Sequence, residues 1–80
     1  MKIGEAVTKR VLELCSERKI TLNKMATICG ITQSTLDNMK KGNSKNQKIS
    51  TIKKVCDGLN ITIVDFFNRD YFLSLEQEIE

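Results

Sequence analysis

The segment spanning residues 22–39 constrains the fold of this chain more than any other part of its sequence. It reads LNKMATICGITQSTLDNM. Met25 and Cys29 are four residues apart, and Leu36 and Met39 are three apart, so each pair occupies one face of a helix. The segment therefore predicts two short amphipathic helices in close succession.

Small residues stand where these two helices must meet. Gly30 can adopt the left-handed conformation that ends a helix, and Thr32 offers a hydroxyl that caps the next one. Ala26 leaves room for the two helices to cross closely. This combination predicts a helix-turn-helix, in which the second helix enters the DNA major groove.

The motif and the segments around it resemble the Cro/C1-type helix-turn-helix repressors of the phage 434 and Xre kind. The resemblance covers roughly residues 5–68, and besides the motif it rests on Thr21, on Lys41-Gly42-Asn43 and on residues 49–52, 59–61 and 63–67. It implies an all-α chain: a compact five-helix lambda-repressor-like DNA-binding domain over residues 1–68, with a short C-terminal tail. It also implies a sequence-specific transcriptional regulator, a repressor that binds a two-fold operator on double-stranded DNA as a homodimer.

Apolar spacing predicts where the helices lie. They are expected over residues 4–18, 22–29, 33–40, 50–59 and 63–68, with Thr21 and Thr62 as caps. The inner stripes of the first and fourth helices are Val7, Val11, Leu14 and Cys15, and Ile52, Val55, Cys56 and Leu59. Only one small core fits in 80 residues, so a single domain is expected.

Charge is distributed unevenly along the chain. The net charge is +3, but residues 33–64 carry six lysines against two aspartates, whereas residues 65–80 carry one arginine against five acidic residues. A basic middle favours a surface that faces a polyanion, and an acidic tail favours a segment that faces elsewhere.

Other function classes find little support. The chain has no histidine, no recognisable pair of catalytic carboxylates and no glycine-rich phosphate loop, so we expect neither an enzyme nor a bound cofactor. The cysteines show no metal-ligand spacing and are expected to be small buried residues in a reducing compartment, without a metal. Without an apolar run, we expect a cytoplasmic protein with no membrane partner.

The outward face of the third helix carries the predicted base contacts. An amide side chain both donates and accepts, so glutamine or asparagine can hold adenine N6 and N7 together. The resemblance implies that Gln33, Ser34 and Asn38 read bases, with Thr35 beside them. Asp37 could accept a hydrogen bond from cytosine N4, or could balance the helix dipole.

The resemblance also implies a set of phosphate contacts. They are Thr21, Asn23, Thr32, Lys41, Asn43, Ser44, Lys45 and Lys48. The chain departs from the family at three places. Leu22 replaces a phosphate-holding glutamine, whose contact is then lost or taken by Asn23. Cys15 and Lys40 replace a paired arginine and glutamate, and Gln47 replaces a proline before the fourth helix.

The tail is predicted to be a short amphipathic helix. Phe72, Leu75 and Ile79 fall on one helical face, and such a short helix needs a surface to pack on. That surface is either the chain's own domain or a second copy, and we predict a dimer contact. The alternative function is a protein-interaction module, or an antitoxin or control protein with this fold. Because no effector domain fits in 80 residues, control of the regulator is expected from a regulatory protein partner, from abundance or from competition.

Overall fold

The protein is described by a computed structural model over residues 1–41 and 47–79, and these residues form helices and connecting turns without any strand. The elements are α1 (Ile3–Glu17), α2 (Leu22–Cys29), α3 (Gln33–Lys40), α4 (Ile49–Leu59) and α5 (Ile63–Phe67), followed by a single 3-10 turn at Asp70–Leu73. The predicted all-α class is confirmed, and each helix boundary lies within one residue of its predicted position. No helix in the described ranges combines the length and apolar character needed to cross a membrane.

Local signals start and end the helices. The hydroxyls of Thr21, Thr32 and Thr62 each accept a hydrogen bond from the backbone N–H three residues further on, over 3.0–3.3 Å. Gly30 ends α2 with a φ of 68°, and Asn60 ends α4 with a φ of 58°. Both conformations are left-handed, which glycine adopts freely and asparagine tolerates.

The core forms where α1, α2 and α4 face one another. The predicted inner stripes of α1 and α4 are confirmed, since all of their residues are buried. Phe66 of α5 is fully buried, and Met25 of α2 has no exposed surface either. Ala26 is 5% exposed, in keeping with its predicted place inside the helix-turn-helix.

A close approach of two helices fixes the position of α2. Gly58 of α4 lies against Cys29 of α2, and a Cβ added to Gly58 would overlap the Cys29 Sγ and stand 2.9 Å from the Cys29 Cα. Any larger residue at position 58 would therefore push α2 away. The helix-turn-helix rests on α4 through this contact.

Two arginines of α1 hold the carboxyl ends of later helices. Arg18 donates to the carbonyl oxygen of Leu59 at the end of α4, over 2.7 Å. Arg10 is 3% exposed and donates from Nε to Phe66 (2.6 Å) and from Nη2 to Asp65 (3.0 Å) at the end of α5. Helix ends leave carbonyl groups without partners and carry partial negative charge, so guanidinium groups stabilise them.

The tail does not form the predicted amphipathic helix. Beyond the turn at Asp70–Leu73, its described residues are irregular. Phe72 packs edge-to-face on Phe67, with ring centroids 5.0 Å apart, and lies against the core of its own chain. Leu75 is half-buried, whereas Ile79 is 85% exposed. The helix prediction was wrong because specific contacts to α1 and α5, not helical periodicity, fix this segment.

Polar contacts hold the tail against α1. The Tyr71 hydroxyl donates to Glu13 over 2.6 Å, and burial together with this bond raises the pKa of Tyr71. The Glu76 carboxylate accepts from the amino group of Met1 over 2.7 Å, which lowers the pKa of Glu76. The Glu76 N–H also donates to the Met1 carbonyl. The tail is thus attached to the domain at two points, one on α1 at Glu13 and one at Met1, just before α1.

Candidate nucleic-acid interface

Helix α3 presents a polar face outward because its apolar face is anchored in the core. Leu36 and Met39 are 1% and 4% exposed, so the helix cannot rotate about its axis without losing their burial. Gln33, Ser34 and Asn38 are exposed. The three predicted base readers therefore stand where a major groove could meet them.

A hydrogen bond orients the first of these side chains. Gln33 donates from Nε2 to the Asp37 carboxylate over 2.9 Å. Asp37 lies beyond the first turn of α3, where the helix dipole is weak. The hydrogen bond to Gln33 therefore accounts for an aspartate at this position better than the dipole does. The Gln33 oxygen and its second N–H stay available, which is the pair that a bidentate contact with adenine requires.

The hydroxyls at the start of α3 form a small chain. Thr32 accepts from the Thr35 N–H and donates its own proton to the Thr35 hydroxyl over 3.1 Å. Because a hydroxyl has a single proton to donate, Thr32 has none left for a phosphate. Of these two hydroxyls, that of half-buried Thr35 is the one whose proton stays available for a further acceptor.

A polar groove of about 550 Å³ lies between α3 and the start of α4. Its lining consists of Thr32, Thr35, Asn38, Gln47, Lys48, Ser50, Thr51 and Lys54. It joins candidate base readers to a candidate phosphate contact on one surface. Lys48 is the residue before the first turn of α4, and its side chain does not cap the helix. The first backbone N–H groups of that turn therefore donate no capping bond to the Lys48 side chain and stay available as donors.

Four residues of this groove were not predicted as contacts from the sequence, namely Gln47 before α4 and Ser50, Thr51 and Lys54 on α4. Thr51 and Lys54 are three residues apart and Ser50 and Lys54 are four apart, so the three share a polar face of α4. That spacing was the available signal. Only the apolar stripe of α4 entered the prediction.

The remaining phosphate candidates are spread over the molecule. Thr21 caps α2, and Lys41 is exposed directly after α3. Asn23 is exposed in the first turn of α2, and its side-chain oxygen accepts from Lys40 over 3.1 Å. Asn43, Ser44 and Lys45 lie outside the described residues.

The cysteines pack as apolar residues. Cys15, Cys29 and Cys56 are buried free thiols, and burial raises the pKa of each. A buried thiol with a raised pKa stays protonated and unreactive near neutral pH. Across residues 1–41 and 47–79, no group of three His, Cys, Asp or Glu side chains could hold a metal ion.

Comparison with known proteins gives two similarities. Residues 10–70 match the Cro/C1-type HTH DNA-binding domain. The crystal structure of the prophage Lp1 protein 11 is similar at a TM-score of 0.80 and 39% sequence identity, covering 94% of this chain and 100% of that one. None of the curated proteins matches the chain.

Proposed function

The chain belongs to the Cro/C1-type helix-turn-helix DNA-binding domain family, and we propose that it is a repressor that binds a two-fold operator as a homodimer. Its action as a DNA-binding transcription regulator follows from the family. The observation that carries the finer proposal is the joint surface of α3 and the start of α4, where amide, hydroxyl and lysine side chains face one groove. Similarity to a prophage protein supports control of a mobile element's genes as the setting.

In this proposal α3 lies in the major groove and its exposed side chains read base edges. Gln33 and Asn38 make the amide contacts, and Ser34 lies between them on the outward face. Thr35 contributes its free proton to a base or to a neighbouring phosphate. The bond between Gln33 and Asp37 supports this assignment because it fixes the Gln33 amide before DNA arrives.

Phosphate contacts flank the reading helix. Lys41 directly follows α3 and Lys48 directly precedes α4. The start of α4 also supplies backbone N–H groups that can bind a phosphate. Lys54 adds a further positive charge along the same groove. The resemblance assigns the remaining contacts to Thr21, Asn23, Thr32, Asn43, Ser44 and Lys45. At Thr32 the contact would be made by the backbone N–H, because its hydroxyl proton is donated to Thr35.

A homodimer is proposed because one helix-turn-helix buries too little surface for tight specific binding. The tail is the proposed dimer contact, through Phe72, Leu75 and Ile79, of which Phe72 also packs on Phe67 of its own chain. Ile79 supports this role because it is a large apolar side chain that its own domain leaves 85% exposed. An isologous contact of two such tails would bring two recognition helices onto one operator.

Selection of bound sequences from random double-stranded DNA tests the repressor proposal. A two-fold symmetric site with half-sites about 10 base pairs apart is expected. Asn38→Ala should cost roughly 1–3 kcal/mol on that site and relax base preference at one position. Lys53→Ala, an exposed change on α4, serves as the matched control and should leave base preference intact.

Failure of the selection has a defined meaning. If no sequence is enriched and any DNA binding is independent of salt, the domain is a protein-interaction module instead.

Light scattering tests the dimer contact. Ile79→Ser should shift the protein toward the monomer mass, because it removes an exposed apolar contact without touching the core. Leu73→Ser is the control, since Leu73 is 87% exposed but is not one of the proposed contact residues. If Ile79→Ser keeps the wild-type mass, the tail is not the dimer contact.

A further inference from the structure

The end of α3 is joined to the start of α2 by one hydrogen bond between exposed side chains. Lys40 donates from Nζ to the Asn23 side-chain oxygen over 3.1 Å. Lys40 forms no ion pair with any residue in the described ranges. An ammonium group without a counter-charge therefore stands beside the amino-terminal end of α2.

This bond orients the Asn23 amide. Because its oxygen is occupied by Lys40, its NH₂ group must point away from Lys40, with two N–H donors. Lys40 itself has two further N–H donors. All these donors lie at the first turn of an eight-residue helix, where free backbone N–H groups and the helix dipole also favour an anion.

Leu22 shows why such a site is needed here. The resemblance places a phosphate-holding glutamine at this position, but the Leu22 side chain packs against the core and has no donor to offer. The resemblance also places a glutamate where Lys40 stands, which would repel a phosphate. The chain therefore lacks a side-chain donor at position 22 and gains a cation at position 40, within reach of the same helix start.

We propose that Lys40 and Asn23 form a phosphate clasp, a pair that grips one DNA phosphate at the start of α2. Lys40 supplies charge and N–H donors, and it also orients the amide donors of Asn23. The clasp replaces the contact that Leu22 cannot make. This inference rests on the DNA-binding function proposed above, and it adds Lys40 to the residues that touch DNA.

Lys40→Met removes the ammonium while keeping an unbranched side chain. Binding should be measured across a salt series, on the selected operator and on a random-sequence duplex of equal length. We expect roughly tenfold weaker binding on both duplexes. The plot of log K against log salt should flatten by about 0.9, the slope of one phosphate contact. Lys40→Arg should restore most of the slope.

Lys53→Met is the matched control for net charge. It removes the same unit of charge, but Lys53 pairs with Asp57 on its own helix. Its salt slope should remain that of the wild type. If Lys40→Met and Lys53→Met change the slope equally, or if neither changes it, the clasp does not exist.

Asn23→Asp separates a phosphate clasp from a purely structural tie between α2 and α3. Aspartate still accepts from Lys40, so thermal unfolding should be unchanged or shifted upward. It has no N–H donors and repels phosphate, so binding should fall at least as far as in Asn23→Ala. Wild-type affinity in Asn23→Asp would overturn the clasp while leaving the DNA-binding function standing. Absence of salt-dependent binding by the wild type would overturn both.

Discussion

Replacing Gly58 by alanine should destabilise the protein, although glycine-to-alanine substitutions within helices usually stabilise them. In an exposed helix, glycine to alanine gains about 0.8–1 kcal/mol of helix propensity. Here the new Cβ would overlap the Cys29 Sγ and lie 2.9 Å from the Cys29 Cα and 3.0 Å from its Cβ. Carbon atoms pack best at about 3.5–4.0 Å. The sulfur can rotate aside, but the Cα can retreat only if α2 moves.

The two effects can be compared in magnitude. Overpacking a core costs about 1–3 kcal/mol, and a backbone clash lies toward the upper end. After the propensity gain, Gly58→Ala should lose about 2 kcal/mol of unfolding free energy. For a domain of this size, that corresponds to a melting temperature roughly 8–16 °C lower. Displacing α2 should also weaken DNA binding at temperatures where the variant is folded.

Chemical denaturation with two companion variants checks this reasoning. Ser50→Ala places alanine on the exposed first turn of α4, where it meets no clash, and should change stability little. Combining Gly58→Ala with Cys29→Ala removes the sulfur but not the Cα, so a double-mutant cycle should show partial relief. If Gly58→Ala is as stable as the wild type or more so, α2 and α4 do not meet at this point.

Three further changes probe the packing. Arg10→Met should cost about 2–4 kcal/mol in denaturant unfolding, because it leaves two carbonyls at the end of α5 without their charged donor. Tyr71→Phe should be less stable than the wild type at pH 8. A raised folded-state pKa means stability is lost as pH rises past about 10, so the difference should shrink toward pH 11 in a pH series of unfolding curves. Ala26→Leu should lose roughly 1–3 kcal/mol through overpacking, and an unchanged melting temperature would contradict its buried position.

Most of the helical framework could be predicted from the sequence. The caps at Thr21, Thr32 and Thr62, the left-handed Gly30 and the apolar spacing within each helix all act between residues three or four apart. Such signals are written in consecutive residues, so they can be found without knowing the rest of the fold. The outward face of α3 followed in the same way from the spacing of Leu36 and Met39.

The groove beside α3 was predicted only in part. Lys48 and Asn38 were named from the resemblance, whereas Lys54 was not, because its side chain matters only once α4 lies next to α3. The helix prediction for the tail was wrong for a related reason. Its apolar spacing fits a helix, but contacts to α1 and α5 determine its path. Tyr71 and its partner Glu13, for example, are more than fifty residues apart in the chain.

The sequence by itself determined the class of the fold, the helix boundaries and the polar face that the recognition helix presents. Only the tertiary structure decided that Arg10 and Arg18 bind the carbonyl groups at the ends of α5 and α4. It also decided that α2 packs closely on α4 at Gly58, and that Lys40 donates a hydrogen bond to Asn23. The physical reason is the range of the interactions. A cap or an amphipathic stripe depends on near neighbours in the chain, whereas these contacts join residues that become neighbours only when the helices have packed together.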